Sequence, residues 1–117
     1  LVGKIILVAE DNRINRVLIQ KYLRDLPVKL FFAENGREAV EKCRAERPDL
    51  VLMDMSMPEM SGLEATEVIR REQGAHPVIV ALTANAFATD QAACMRAGMT
   101  GFLTAGAQDG RYRNPRL

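Results

Sequence analysis

Three carboxylates and one hydroxyl follow the ends of short apolar runs in the sequence. Glu10 and Asp11 come after KIILVA, Asp54 comes after DLVLM, and Thr83 comes after PVIVAL. Short, nearly continuous apolar runs are typical of strands that are buried on both faces of a parallel sheet. Because the binding crevice of an open α/β sheet lies beyond the carboxyl ends of its strands, we expect these four side chains to meet at one edge.

Such a cluster can perform phosphoryl chemistry if a cation offsets its charge. Carboxylates at about 4 Å repel one another by ~4 kcal/mol per pair at an effective dielectric constant of about 20. Mg²⁺, a hard cation that prefers oxygen ligands, is the expected partner. Beside Mg²⁺, a carboxylate at a strand end can attack a phosphoryl group in line, and Thr83 can donate a hydrogen bond to a phosphoryl oxygen. Asp49 begins its strand. We therefore expect Asp49 at the opposite edge and exclude it from the site.

The elements that must position these residues alternate along the chain. Five apolar segments predict strands, at 4–9, 28–33, 49–53, 77–82 and 101–104. Between them, apolar residues spaced by three and four predict helices that begin after Asn12, Asn35 and Ser61, and a fourth helix from about Phe87 to Ala97. This alternation indicates an α/β fold, with a parallel sheet and crossover helices on both faces.

Length and composition exclude several classes of protein. The 117 residues suffice for one domain, and 16 Lys and Arg against 15 Asp and Glu give a formal net charge of +1. This near neutrality argues against direct binding of nucleic acid or of an anionic membrane. Cys43 and Cys94 lack the spacing of a zinc site or a disulfide framework, which fits a reducing cytoplasm. No apolar run approaches the length of a signal peptide or a membrane span, so we expect a soluble chain.

Four motifs in order resemble the receiver domain of two-component response regulators. They are VAEDN at 8–12, LVLMDMSMPEMSG at 50–62, ALTAN at 81–85 and AGMTGFLT at 97–104, and the resemblance covers about residues 4–104. The segment EDNRINR at 10–16 looks most like receivers of hybrid sensor histidine kinases. The resemblance implies a flavodoxin-like, doubly wound, five-stranded parallel sheet in the order 2-1-3-4-5. It also implies a cytoplasmic location, either free or as the cytoplasmic part of a membrane-bound hybrid kinase.

The resemblance also implies a role for each residue of the site. It makes Asp54 the phosphoacceptor. It makes Glu10 and Asp11 the acidic pair that holds Mg²⁺, with the backbone carbonyl of Ser56 as a further metal ligand. It makes Thr83 the switch hydroxyl and Phe102 the aromatic that turns inward when Thr83 is drawn to the phosphoryl group. The implied phosphodonor is a phosphohistidine on a histidine kinase or a histidine phosphotransfer domain. Such a domain is a switch more than an enzyme, with Mg²⁺-dependent self-phosphorylation and slow self-dephosphorylation as its own chemistry.

The sequence departs from the family pattern after the fifth strand. Ala105 and Gly106 stand where the family has Lys followed by Pro, and no apolar stripe follows where a fifth helix is due. We therefore expect a receiver domain at 1–104 and an irregular tail at 105–117. Three explanations compete: a degenerate receiver, a substitute cation such as Arg13, or a sequence altered after Thr104 by a cloning scar or a changed reading frame. The abrupt end of the match favours the third.

Two other functional classes remain open. Ala105 favours a pseudo-receiver that acts as a phosphorylation-independent interaction module. A small phosphatase of the Mg²⁺-aspartate type would require a second Asp two residues after the nucleophile, where Ser56 stands.

A missing fifth helix would also leave apolar surface uncovered on the first helix and the sheet. The sequence therefore predicts self-association or segment exchange.

Overall fold

A parallel sheet forms the centre of the protein. The computed structural model describes residues 3–83, 88–105 and 112–113. The strands are β1 (Ile5–Ala9), β2 (Lys29–Ala33), β3 (Leu50–Asp54), β4 (Val78–Thr83) and β5 (Gly101–Ala105), with a short β6 (Tyr112–Arg113). The sheet order is β2-β1-β3-β4-β5-β6, parallel as far as β5, and this confirms the predicted order 2-1-3-4-5.

The sixth strand is not predicted by the sequence. β6 pairs antiparallel with β5, with Ala105 opposite Tyr112 and Thr104 opposite Arg113. Two residues are too few to show the period of two by which a strand is recognised. The rest of the predicted tail, 106–111 and 114–117, lies outside the described residues. The domain boundary at residue 104 therefore stays a prediction.

Four helices connect the parallel strands, and the starts predicted after Asn12, Asn35 and Ser61 are confirmed, whereas Phe87, the predicted start of the fourth, lies outside the described residues. They are α1 (Arg13–Leu23), α2 (Gly36–Glu46), α3 (Gly62–Gln73) and α4 (Ala88–Ala97). The side chain of Asn12 accepts hydrogen bonds from the first turn of α1, and that of Asn35 accepts one from α2. Ser61 and Glu64 form a capping box on α3. These caps fix the helix starts because they satisfy backbone N–H groups that have no partner inside the helix.

The sheet buries apolar side chains on both faces. Side chains of α2, α3 and α4 pack over one face, around Val51 and Met53. On the other face, the smaller cluster around Ile6 and Val8 takes its helical residues from α1 within the described part of the chain. Because successive strand residues point to opposite faces, β1 and β3 need apolar side chains at almost every position. Val78, on the face of α1, is 42% exposed.

Arg70 on α3 ties three segments together at the edge opposite the acidic residues. Its Nε donates to the carbonyl oxygen of Gly98 at 2.7 Å, and its Nη1 donates to the carbonyl oxygens of Pro77 at 2.6 Å and Gly74 at 3.1 Å. The guanidinium thereby joins the ends of α3 and α4 to the start of β4.

No helix in the described ranges is both long and apolar enough to cross a membrane.

Candidate functional site

The structure brings three of the predicted site residues together at the carboxyl ends of β1 and β3. Ala9 and Met53 are register partners in these neighbouring strands, so the residues that follow them emerge side by side. Glu10, Asp11 and Asp54 each offer one carboxylate oxygen, and the three oxygens lie within 4.8 Å of one another. Glu10 is only 2% exposed, although it carries a carboxylate. The expected acidic cluster is therefore present.

Burial and neighbouring negative charge together raise the pKa of Asp54 to about 8. Burial is the largest cause, because desolvation penalises the ionised carboxylate, and Glu10 and Asp11 add to it. The backbone N–H of Ser56 donates to Asp54 Oδ1 at 3.1 Å, and this hydrogen bond lowers the pKa of Asp54. Ionisation of Asp54 at neutral pH is therefore costly unless a cation offsets the burial and the neighbouring negative charge.

Two residues in the first turns of α1 hold Glu10 in place. Asn15 Nδ2 donates to Glu10 Oε1 at 2.5 Å, and Arg16 Nη1 donates to the backbone carbonyl of Glu10 at 2.8 Å. Arg16 Nη2 also pairs with Glu34 at 3.3 Å. Neither contact is among those predicted from the sequence. The motif EDNRINR could have indicated them, because the amide of Asn15 and the guanidinium of Arg16 follow the acidic pair by about one helical turn.

Two glycines allow the loops around the site to approach one another. A Cβ at Gly62 would lie 2.2 Å from the carbonyl oxygen of Asp54, and a Cβ at Gly36 would lie 2.2 Å from the carbonyl oxygen of Met60. Ordinary contacts between such atoms are longer than 3 Å. The chain therefore returns from β3 into α3 so tightly that any side chain at position 62 would displace the backbone of Asp54.

The remaining predicted residues lie along the same sheet. The backbone of Thr83 ends β4 and pairs with Thr104, one position beyond the pairing of Asp54 with Leu82. The side chain of Thr83 is outside the described part of the structure. Phe102 is 4% exposed and belongs to the core on the face of α2 to α4. The position of the expected family lysine, Ala105, is the last residue of β5.

The structure also bears on the two other charged residues that the sequence singles out. Asp49 lies at the opposite edge, as predicted, where its Oδ2 accepts a hydrogen bond from the backbone N–H of Ile5 at 2.9 Å. Arg13, the suggested substitute cation, is exposed at the start of α1. Arg13 as a substitute cation for the phosphoryl group therefore stays a prediction.

Comparison with known proteins gives the same family over most of the chain. The family model "Response regulator receiver domain" matches residues 6–111. Hybrid signal transduction histidine kinase B of Dictyostelium discoideum is 42% identical in an alignment of 110 residues, which covers 84% of this chain and 6% of that protein. Sensor histidine kinase GacS of Pseudomonas protegens is 41% identical in an alignment of 103 residues, which covers 85% of this chain and 11% of that protein. The chain thus spans only a small part of these relatives.

Solved structures agree with this result. The receiver domain of sensor histidine kinase PA1611 from Pseudomonas aeruginosa PAO1, with a magnesium ion coordinated in its active site cleft, superposes with a TM-score of 0.80 at 38% identity, covering 88% of this chain and 85% of that one. The receiver domain of Saccharomyces cerevisiae Ssk1, solved with the phosphotransfer protein Ypd1, superposes with a TM-score of 0.82 at 29% identity. This match covers 94% of this chain and 81% of that one. The acidic strand ends, the sheet order and these matches together show that the chain belongs to the response regulator receiver domain family.

Proposed function

We propose that this receiver domain accepts a phosphoryl group onto Asp54 from a phosphohistidine on a histidine kinase or a histidine phosphotransfer domain. The observation that carries the proposal is the acidic cluster, in which three carboxylate oxygens from two adjacent strand ends lie within 4.8 Å of one another. The similarity to receivers of hybrid histidine kinases, and to a receiver solved with a phosphotransfer protein, supports this choice of partner.

The donor set suits Mg²⁺. Glu10, Asp11 and Asp54 supply only carboxylate oxygens, which are hard ligands. Burial, together with neighbouring negative charge that a cation would neutralise, raises the pKa of Asp54. We propose that these carboxylates and the backbone carbonyl of Ser56 hold the ion. When bound, Mg²⁺ would neutralise the carboxylates and the incoming phosphoryl oxygens. The magnesium ion in the cleft of the PA1611 receiver supports this assignment.

Four residues of the chain would then have separate roles in the phosphoryl transfer and the switch that follows it. A carboxylate oxygen of Asp54 attacks phosphorus in line. The bond from phosphorus to the histidine nitrogen breaks, its electron pair stays on the imidazole, and the imidazole takes up a proton from solvent. The N–H of Ser56 holds Asp54 Oδ1, which fixes the orientation of the nucleophile. The hydroxyl of Thr83 would donate to a phosphoryl oxygen, and Phe102 would follow Thr83 as the switch aromatic.

Ala105 favours one competing function. It supplies no cation to pair with the phosphoryl group, which is the feature expected of a pseudo-receiver that binds a partner whatever its phosphorylation state. The two functions differ in whether Asp54 reacts at all. A phosphorylatable domain with Ala105 should lose part of the usual stabilisation of its phosphoryl group and still form the aspartyl phosphate.

Labelling with a small phosphodonor separates these functions. Acetyl phosphate with Mg²⁺ should label the domain at Asp54, as located by mass spectrometry, and chelation of the metal or Asp54→Asn should abolish the label. Asp25→Asn is the matched control, because Asp25 is an exposed carboxylate on the loop before β2. Labelling at another residue would refute the assignment of Asp54. A folded domain that binds Mg²⁺ and takes no label would favour the pseudo-receiver.

We also propose that the domain self-associates or exchanges segments through apolar surface near α1. The supporting observation is the exposure of Ile14 and Val17 on α1, at 78% and 44%, and of Val78 on the sheet face that α1 shares. Light scattering over a range of concentrations tests this, and a strictly monomeric species at high concentration would contradict it.

The cytoplasmic location of the domain is a further proposal, and fractionation of the cells that make the protein would test it.

A further inference from the structure

The side chain of Glu10 accepts a hydrogen bond from α1. Its Oε1 accepts the Asn15 amide at 2.5 Å, whereas its backbone carbonyl accepts Arg16 Nη1 at 2.8 Å. Glu10 is almost completely buried, so its carboxylate cannot turn freely in solvent. Because the amide hydrogen takes one lone pair of Oε1, Oε2 is the less hindered oxygen for a metal at the cluster.

This arrangement bears on which divalent ion the site prefers. Mg²⁺ requires a nearly ideal octahedron of close ligands, and it typically takes one oxygen from each carboxylate. Ca²⁺ is larger, accepts six to eight oxygens and often binds both oxygens of one carboxylate. A Glu10 fixed as a one-oxygen ligand therefore suits Mg²⁺ and withholds an oxygen from Ca²⁺. Partners that orient metal ligands in this way typically change metal affinity by about 10-fold to 100-fold when they are removed.

We propose that Asn15 is a positioning residue that makes Glu10 a one-oxygen ligand and thereby favours Mg²⁺ over Ca²⁺. The inference rests on the proposed function, because it takes the metal to bind at the acidic cluster. It goes further by assigning ion selectivity to a residue that is not itself a ligand.

A purely structural role does not account for the Asn15 side chain. α1 is already capped by Asn12, whose Oδ1 accepts hydrogen bonds from the backbone N–H groups of Ile14 and Asn15. Arg16 independently ties the helix to the backbone of Glu10. The amide of Asn15 could therefore be removed without opening the helix start, and alanine is a better helix former than asparagine.

The test compares Asn15→Ala with Gln20→Ala, which removes an exposed amide from the same helix. The affinities of each variant and of the wild type for Mg²⁺ and for Ca²⁺ are measured separately, by two-dimensional NMR titration of the backbone amides at one pH. We expect Asn15→Ala to weaken Mg²⁺ binding by roughly tenfold and Ca²⁺ binding by much less, so that the preference for Mg²⁺ falls. Gln20→Ala should leave both affinities unchanged. The spectra also report whether each variant is folded.

Two results would overturn the inference and keep the proposed function. One is an equal loss of affinity for both ions in Asn15→Ala, which indicates general loosening of the site. The other is an unchanged Mg²⁺ preference in that variant. A wild-type domain that binds neither ion would overturn the inference together with the proposed function. These failures are distinguishable because the wild-type titration reports on the acidic cluster, and only the variant reports on Asn15.

Discussion

Removal of the Asp54 carboxylate should stabilise the metal-free domain, and the gain should grow with pH. The pKa of Asp54 is raised from its ordinary value of 3.8 to about 8 by burial and by Glu10 and Asp11. Between these two values the folded protein holds a proton that the unfolded chain releases. The free energy of unfolding therefore falls, through this group, as pH rises from about 4 to about 8. Asp54→Asn removes this loss.

The size of the effect follows from the pKa difference and from exposure. At 1.36 kcal/mol for each pKa unit, a rise from 3.8 to about 8 corresponds to ~6 kcal/mol. Asp54 is partly exposed, so water screens its interactions and only a fraction of that value is expected. We expect Asp54→Asn to raise the free energy of unfolding by ~2 kcal/mol above about pH 8, and by clearly less near pH 5.

Urea denaturation followed by circular dichroism, with a chelator present, measures this effect at about pH 5 and about pH 9. Asp25→Asn serves as the control, since its carboxylate is exposed and should give no gain at either pH. Mg²⁺ added at the higher pH should stabilise the wild type and should stabilise Asp54→Asn much less. A gain that is independent of pH, or that shrinks as pH rises, would refute the electrostatic reasoning.

Substitutions at Gly62, Arg70 and Ser61 test contacts next to the site and at the opposite edge of the sheet. Gly62→Ala should lower the free energy of unfolding by ~2 kcal/mol or more because its Cβ has no room. Gly101→Ala is the control and should change the free energy of unfolding little, because no atom lies within 4 Å of its added Cβ. Equal urea midpoints for Gly62→Ala and Gly101→Ala would contradict the close approach of Gly62 to Asp54. Arg70→Met should cost ~1 to 3 kcal/mol by leaving carbonyl oxygens without donors, and an unchanged thermal midpoint would show that these bonds do not stabilise the fold. Ser61→Ala should cost ~1 kcal/mol in urea denaturation and Ser61→Gly only a few tenths, whereas the reverse order would argue against the N-cap.

Much of the fold can be predicted from the sequence because it depends on local patterns. Asn12, Asn35 and Ser61 mark helix starts, since a short polar side chain can accept backbone hydrogen bonds only a few residues away. The predicted strands agree with the observed ones to within one residue at each end, because each buried strand is a short apolar run between turns. β6 is the exception, as its two residues pair only because β5 offers an edge.

The acidic cluster was predictable for a related reason. Parallel strands in one sheet end at a common edge, so polar residues directly after Ala9 and Met53 must be neighbours once the sheet order is known. The sheet order itself came from the resemblance of four motifs to a known family. Residue types and strand ends, combined with that sheet order, therefore predict that Glu10, Asp11 and Asp54 lie close together.

The strands up to β5, the helix starts and the carboxylates at the sheet edge follow from local patterns of residues. Three features instead depend on packing: Asn15 holds one oxygen of Glu10, Gly62 has no room for a Cβ, and the pKa of Asp54 is raised. Hydrogen bonding, close approach and desolvation depend on distances of a few ångströms between distant parts of the chain. Such distances are set by the packing of helices on the sheet, and no local pattern of residues encodes them.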